Sequence, residues 1–122
     1  DSVIADSNKL RQVCLNLLLN AADAVSHANE RLNGRITIKS KVELNPKADT
    51  KDQTRVLKVE IIDNGLGIKK EDMDNIFDPF YTTKEKGSGI GLSLSRQIMR
   101  MHNGSISVQS IPDKETIVTL QF

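Results

Sequence analysis

The sequence predicts an α/β (α+β) two-layer sandwich in which one mixed, mainly antiparallel sheet is covered on one face by helices. Helical and strand patterns follow one another in a β-α-β-β-α-β-β order, with about four or five strands, two long helices and one short helix. The length of 122 residues suits one domain with a single modest core, so residues 1–122 are read as one unit. With three phenylalanines, one tyrosine and no tryptophan, that core must consist mainly of Leu, Ile and Val.

The first helix begins at Ser7, where Leu10, Val13, Cys14, Leu17, Ala21, Ala24 and Ala28 recur at three- and four-residue intervals and mark a core-facing stripe. Cys14 lies on that stripe and reads as a buried, inert thiol, since one cysteine forms no internal disulfide. Asn33-Gly34 breaks the pattern. The next segment alternates, with Ile36, Ile38, Val42 and Leu44 on the side expected to face the core. A polar loop at 45–54 leads to a second β-branched run at 56–62, so the two strands are expected to form a long-looped hairpin ending at Asp63-Asn64-Gly65. A short helix is expected within 69–76. The segment 77–89 combines phenylalanines, a proline, threonines and glycines without sustained periodicity, and reads as a long loop of the kind that binds or covers a ligand. Ile90, Leu94, Ile98 and Met101 mark a second long helix that stops at Asn103-Gly104, and closing strands follow at 105–109 and 116–122.

Seventeen basic residues against sixteen acidic ones, spread along the chain, leave a formal charge of +1. That balance offers no electrostatic footprint for nucleic acid or an anionic membrane, and neither is expected as a partner. The apolar stretches are too short to span a bilayer and the first six residues lack signal-peptide character. The domain is therefore expected in the cytoplasm and, in isolation, as a monomer. Any membrane attachment would belong to a larger parent.

Three stretches carry residues suited to chemistry. At about 100° per residue, Asn16, Asn20, Asp23 and His27 fall within a stripe roughly 60° wide on the polar side of the first helix. Asparagine is a poor helix former, and two amides at i and i+4 can converge on one ligand, although the stripe alone also fits a solvated face. Asp63-Asn64-Gly65-Leu66-Gly67-Ile68 puts a carboxylate at the end of a buried-looking strand, followed by glycines that permit positive φ and close backbone approach, a pattern that a plain turn shares. Gly87-Ser88-Gly89-Ile90-Gly91 runs into the second long helix, where free N–H groups and the positive end of the helix dipole favour phosphate. It is neither a Walker loop nor a good Rossmann fingerprint, and by itself could equally be a hinge.

In this order and spacing the stretches resemble the GHKL ATPase superfamily with its Bergerat fold, most closely the histidine kinase branch, over nearly the whole chain. The run Asn16-Leu17-Leu18-Leu19-Asn20-Ala21-Ala22-Asp23-Ala24 resembles the family's N box, and Asp63-Asn64-Gly65-Leu66-Gly67-Ile68 its G1 box. Phe77-Asp78-Pro79-Phe80 with Tyr81-Thr82-Thr83-Lys84 resembles the F box, and Gly87-Ser88-Gly89-Ile90-Gly91-Leu92 the G2 box. The resemblance implies ATP and Mg²⁺. Asp63 would accept from the adenine amine, where a guanine oxygen would be repelled. Asn20 would ligate Mg²⁺ through its amide oxygen. Asn16 would reach the γ-phosphate or a metal-bound water. Gly87, Ser88, Gly89 and Gly91 would wrap the triphosphate, and Lys84 would neutralise charge on the transferring group. Asp23, Gly65, Gly67, Ile68, Thr83, Ile90, Leu92 and Thr116 complete the implied nucleotide-binding set. Phe77 and Phe80 are expected to anchor the lid in the core.

Two departures stand out. The family often places Gly-Thr before its last strand, and here the pair is Glu115-Thr116. The familiar phosphoacceptor pattern of histidine, acidic residue and proline occurs at neither His27 nor His102, and His102 suits the last turn of a helix structurally. The implied function is transfer of the γ-phosphoryl group to a histidine on a separate dimerisation domain of the same parent, with relay to a response regulator. The alternatives are an ATPase clamp of the gyrase or mismatch-repair type, an anti-sigma-type serine kinase, and a degenerate nucleotide-binding module. Hydrolysing members place a glutamate one turn before the metal-binding asparagine. Asn16 has no usable basicity there, which suits a kinase that holds ATP for a better nucleophile.

Overall fold

The computed structural model describes residues 5–27, 33–44, 55–81 and 91–122. The first helix, α1, spans Ser7–Ser26. Asp6 caps it, its Oδ1 accepting from Asn8 N–H at 3.0 Å and Lys9 N–H at 3.2 Å. Ala28 lies outside the described residues, and His27 closes the helix by donating from Nδ1 to the Asp23 carbonyl at 2.8 Å. The second helix, α2, runs over Gly91–Met101 and stops at Asn103, which adopts a left-handed φ of 58° while Gly104 N–H returns to the Met99 carbonyl at 2.8 Å.

Four strands, β1 (Ile36–Leu44), β2 (Arg55–Asp63), β3 (Ser105–Ile111) and β4 (Glu115–Gln121), form one sheet in the order β1-β2-β4-β3. Every described pairing is antiparallel. Residues 1–4, which hold most of the space for a strand ahead of α1, lie outside the described residues, as does the loop at 45–54. The expected short helix contracts to a 3₁₀ turn at Lys70–Asp72. Ile76 is the buried residue of that stretch, too little apolar face to propagate an α-helix.

The core is Val13, Leu17 and Ala21 from α1, Ile98 and Met99 from α2, and Ile61 and Leu120 from the sheet. Leu10, Leu18, Val59, Ile106 and Val118 pack around it. Helix α1 lies over β2 and α2 over β3, so the helical layer leaves edge strand β1 uncovered. This corrects the expected core: Ile38, Val42 and Leu44 are 58%, 57% and 62% exposed. Cys14, at the margin of the core-facing stripe of α1, is exposed rather than buried.

Candidate functional site

The two helices run antiparallel, because the start of α1 meets the end of α2. Asp6 N–H donates to His102 Nε2 at 3.0 Å, and His102 Nδ1–H donates to the Ile98 carbonyl at 2.7 Å. His102 thus ties the two helix ends together. The antiparallel arrangement brings the second half of α1, the end of β2, the start of β4, the end of β3 and the start of α2 to one end of the sandwich.

Asp63 closes β2 there, on the same sheet face as Ile61 and Val59, and is 4% exposed. Burial pushes its carboxyl above the usual aspartate range, and the Gly65 N–H, donating to Oδ1 at 2.9 Å, opposes part of that rise. The loop that follows is clamped on both sides. A Cβ at Gly65 would sit 2.5 Å from the Ala24 carbonyl carbon of α1, and Leu66 N–H donates to the Ala24 carbonyl at 3.2 Å. Gly67 has φ 68°, and a Cβ there would strike the Ile111 carbonyl oxygen, while Asp113 N–H donates to the Leu66 carbonyl at 2.6 Å. Asn64 turns away from this loop: its Oδ1 accepts from Arg35 N–H at 2.7 Å and its Nδ2 donates to the Asn33 carbonyl at 2.8 Å.

Thr116 stands opposite Asp63 in the β2–β4 register and is 7% exposed. Its Oγ1 lies 2.9 Å from Ser110 Oγ, which also accepts from Ile68 N–H at 2.7 Å. Sequence reasoning missed Ser110. The signal was a polar residue in the inward phase of Ile106 and Val108, at the same sheet level as Asp63 and Thr116.

Asn16, Asn20 and Asp23 are half-buried on one stripe of α1. An added Cβ at Gly34, just ahead of β1, would overlap Val25, which fixes the β1 side of α1. The asparagine stripe lies about 140–180° around the helix from Val25 and so faces the α2 side. Gly91 and Leu92 open α2, and a Cβ at Gly91 would meet nothing within 4 Å among the described residues, so their packing does not demand that glycine. Thr83, Lys84, Gly87, Ser88, Gly89 and Ile90, with most of the expected lid, lie outside the described residues. Phe77 is half-buried under the Arg96 guanidinium, 4.9 Å from ring centroid to Cζ. Phe80 corrects the expected pair of anchors: it is 76% exposed, at φ 67°. The chain turns there, Tyr81 N–H donating back to the Asp78 carbonyl at 3.2 Å, and the ring stands on the outside of that turn.

Among the described residues no three His, Cys, Asp or Glu side chains converge as a metal cage. No helix in them is long and apolar enough to cross a membrane.

Comparison with known proteins agrees with this fold. The chain is 39% identical over 116 residues to the signal transduction histidine-protein kinase AtoS of Escherichia coli K12, covering 95% of this chain and 17% of that protein. It is 36% identical over 114 residues to the sensory histidine kinase/phosphatase NtrB of Vibrio alginolyticus, covering 93% and 32%. The chain therefore spans a third or less of the length of these curated relatives. Among solved structures, the catalytic domain of the histidine kinase ThkA superposes with a TM-score of 0.72 at 30% identity, over 97% of this chain and 68% of that one. The mycobacterial sensor histidine kinase MprB superposes with a TM-score of 0.75 at 25% identity, over 98% and 73%. Residues 5–122 match the family of histidine kinase-, DNA gyrase B- and HSP90-like ATPases, and the chain belongs to that family.

Proposed function

We propose that this chain is one ATP-binding catalytic domain that donates a γ-phosphoryl group to a histidine on a separate dimerisation domain of the same parent, which then passes it to a response regulator. The observation that carries the reading is the convergence, at one end of the sandwich, of buried Asp63, the clamped glycine loop, the asparagine stripe of α1 and the start of α2. The similarity to histidine kinases supports the choice of reaction within the family.

Each residue has a role that its chemistry allows. Asp63 accepts from the adenine amine, with Thr116 beside it. Gly65, Gly67 and Ile68 form a flat backbone wall against the base, and Leu92 adds an apolar contact at the start of α2. Gly91 and the glycines before it supply N–H donors to the phosphates at the positive end of α2. Mg²⁺, when bound, would supply the positive charge that screens the triphosphate. Asn20 would hold it through a neutral amide oxygen, assisted by Asn16 and Asp23, with Thr83 and Lys84 closing from the other side. In the transfer step the acceptor imidazole nitrogen bonds to the γ-phosphorus as the bond to the ADP oxygen breaks. Asn16 cannot take a proton from water, which protects ATP from wasteful hydrolysis.

The test supplies a dimerisation domain bearing a phosphoacceptor histidine. The unmodified chain should label it from Mg·ATP. Asn20→Ala should bind ADP with modest loss yet transfer at least about a hundredfold more slowly, because positioning and charge stabilisation carry phosphoryl transfer. Near-normal transfer by that variant would remove Asn20 as the metal ligand.

A further inference from the structure

Ser110 Oγ has three partners. It accepts from Ile68 N–H at 2.7 Å, donates to the Glu115 carbonyl at 2.9 Å and lies 2.9 Å from Thr116 Oγ1. A serine hydroxyl has one proton. With that proton on the Glu115 carbonyl, the contact with Thr116 is made by the threonine O–H. The Thr116 proton is thereby turned along the sheet toward β3, away from β2, and its lone pairs remain for the other side. On that other side Asp63 stands directly opposite Thr116, with Oδ1 engaged by Gly65 N–H and Oδ2 still an acceptor.

The geometry points to Ser110 as a specificity-determining positioning residue that holds Thr116 as an acceptor beside the Asp63 carboxylate, so that the pocket floor takes an exocyclic amine and refuses a ring carbonyl. The inference rests on the nucleotide-binding reading and deepens it: Asp63 alone repels a carbonyl, but a free threonine hydroxyl beside it would turn and donate to one. Ser110 removes that option without touching the base. It is also bonded to Ile68 at the end of the glycine loop and to Glu115 at the start of β4, so the same hydroxyl fixes the floor in place and sets its polarity.

The experiment titrates ATP and inosine triphosphate, whose ring carries a carbonyl where adenine carries the amine, into the 122-residue chain by calorimetry. The unmodified chain should prefer ATP. Ser110→Ala should narrow the ATP-to-ITP affinity ratio about tenfold, through gained ITP binding as the freed Thr116 hydroxyl turns to the carbonyl. Ser110→Thr, which keeps the hydroxyl, should retain the original ratio. Adding Thr116→Val to Ser110→Ala removes the proton in question and should restore the refusal of ITP. If Ser110→Ala does not fold, Ser110→Cys takes its place with the same narrowing expected. Equal loss of both nucleotides in Ser110→Ala, or ITP binding that survives in the double variant, would overturn the inference. An unmodified chain that binds neither nucleotide would instead overturn the nucleotide-binding reading on which it rests.

Discussion

Asp63 is a carboxyl group buried at the end of a strand, stabilised by one backbone N–H and raised in pKa chiefly by desolvation. The folded protein therefore holds this proton more tightly than the unfolded chain does. Between the unfolded value and the raised folded value, unfolding releases a proton, so the empty protein should lose stability as pH rises through that interval. The ionised carboxylate accepts from a ligand amine more strongly than the protonated acid does, so nucleotide affinity should rise over the same interval. Asp63→Asn removes the ionisation yet keeps an oxygen for Gly65 N–H. It should stabilise the empty protein at neutral pH by about 1 kcal/mol and flatten the pH profile of its melting temperature, while abolishing selectivity for ATP. Melts between acid and neutral pH, paired with calorimetry, read both effects. A variant with lowered stability and intact selectivity would place the adenine contact elsewhere. Asp63 was legible in the sequence as a carboxylate closing a buried-looking strand, and Thr116 through the family resemblance. Ser110 was missed, because a serine in β3 looks ordinary until the register sets it beside Thr116.

At the scale of elements, two alanine substitutions should move stability in opposite directions. Gly65→Ala brings a Cβ to 2.5 Å from the α1 backbone at Ala24, where no side-chain rotation relieves the clash. It should cost about 2–4 kcal/mol and loosen the glycine loop from α1. Ser95, fully buried on α2, has a hydroxyl with no hydrogen-bond partner among the described residues. Ser95→Ala should be neutral or stabilise by up to about 1 kcal/mol, because it removes an unsatisfied polar group and improves helix propensity. Urea midpoints at constant slope distinguish these outcomes, and a Ser95→Ala variant that lost more than about 1 kcal/mol would imply a bond to water or ligand. The start of α1 and the end of α2 were readable from the 3.6-residue period and the punctuation at Asn103-Gly104, whereas α1 ends at Ser26, well before the expected break at Asn33-Gly34. The short helix was not. Residues such as Lys70, Glu71 and Asp72 favour helix locally, but propagation needs a buried face that one isoleucine does not supply.

At the scale of the whole molecule, the helical layer covers three strands of four, and β1 keeps an apolar row in the open. An edge strand of this kind is prone to association. Ile38→Thr and Val42→Thr should each cost less than about 0.5 kcal/mol, since little burial is lost, and should raise the concentration at which the chain stays monomeric in light scattering. A large loss of stability would mean that this row is covered in solution. Periodicity, turn residues and spacing determined by themselves which segments are helix and strand, where most of them end, and that four polar stretches recur in the order of one ATPase family. They did so because backbone propensity and amphipathic pattern are local properties, and motif spacing follows the chain. Only the tertiary structure decided that β1 lies at an edge beyond the reach of α1, that Cys14 is exposed, and that Ser110 meets Thr116 and Ile68. Each of these depends on strand order, register and the placement of the helices over the sheet, which pair residues far apart in sequence and leave no periodic trace in it.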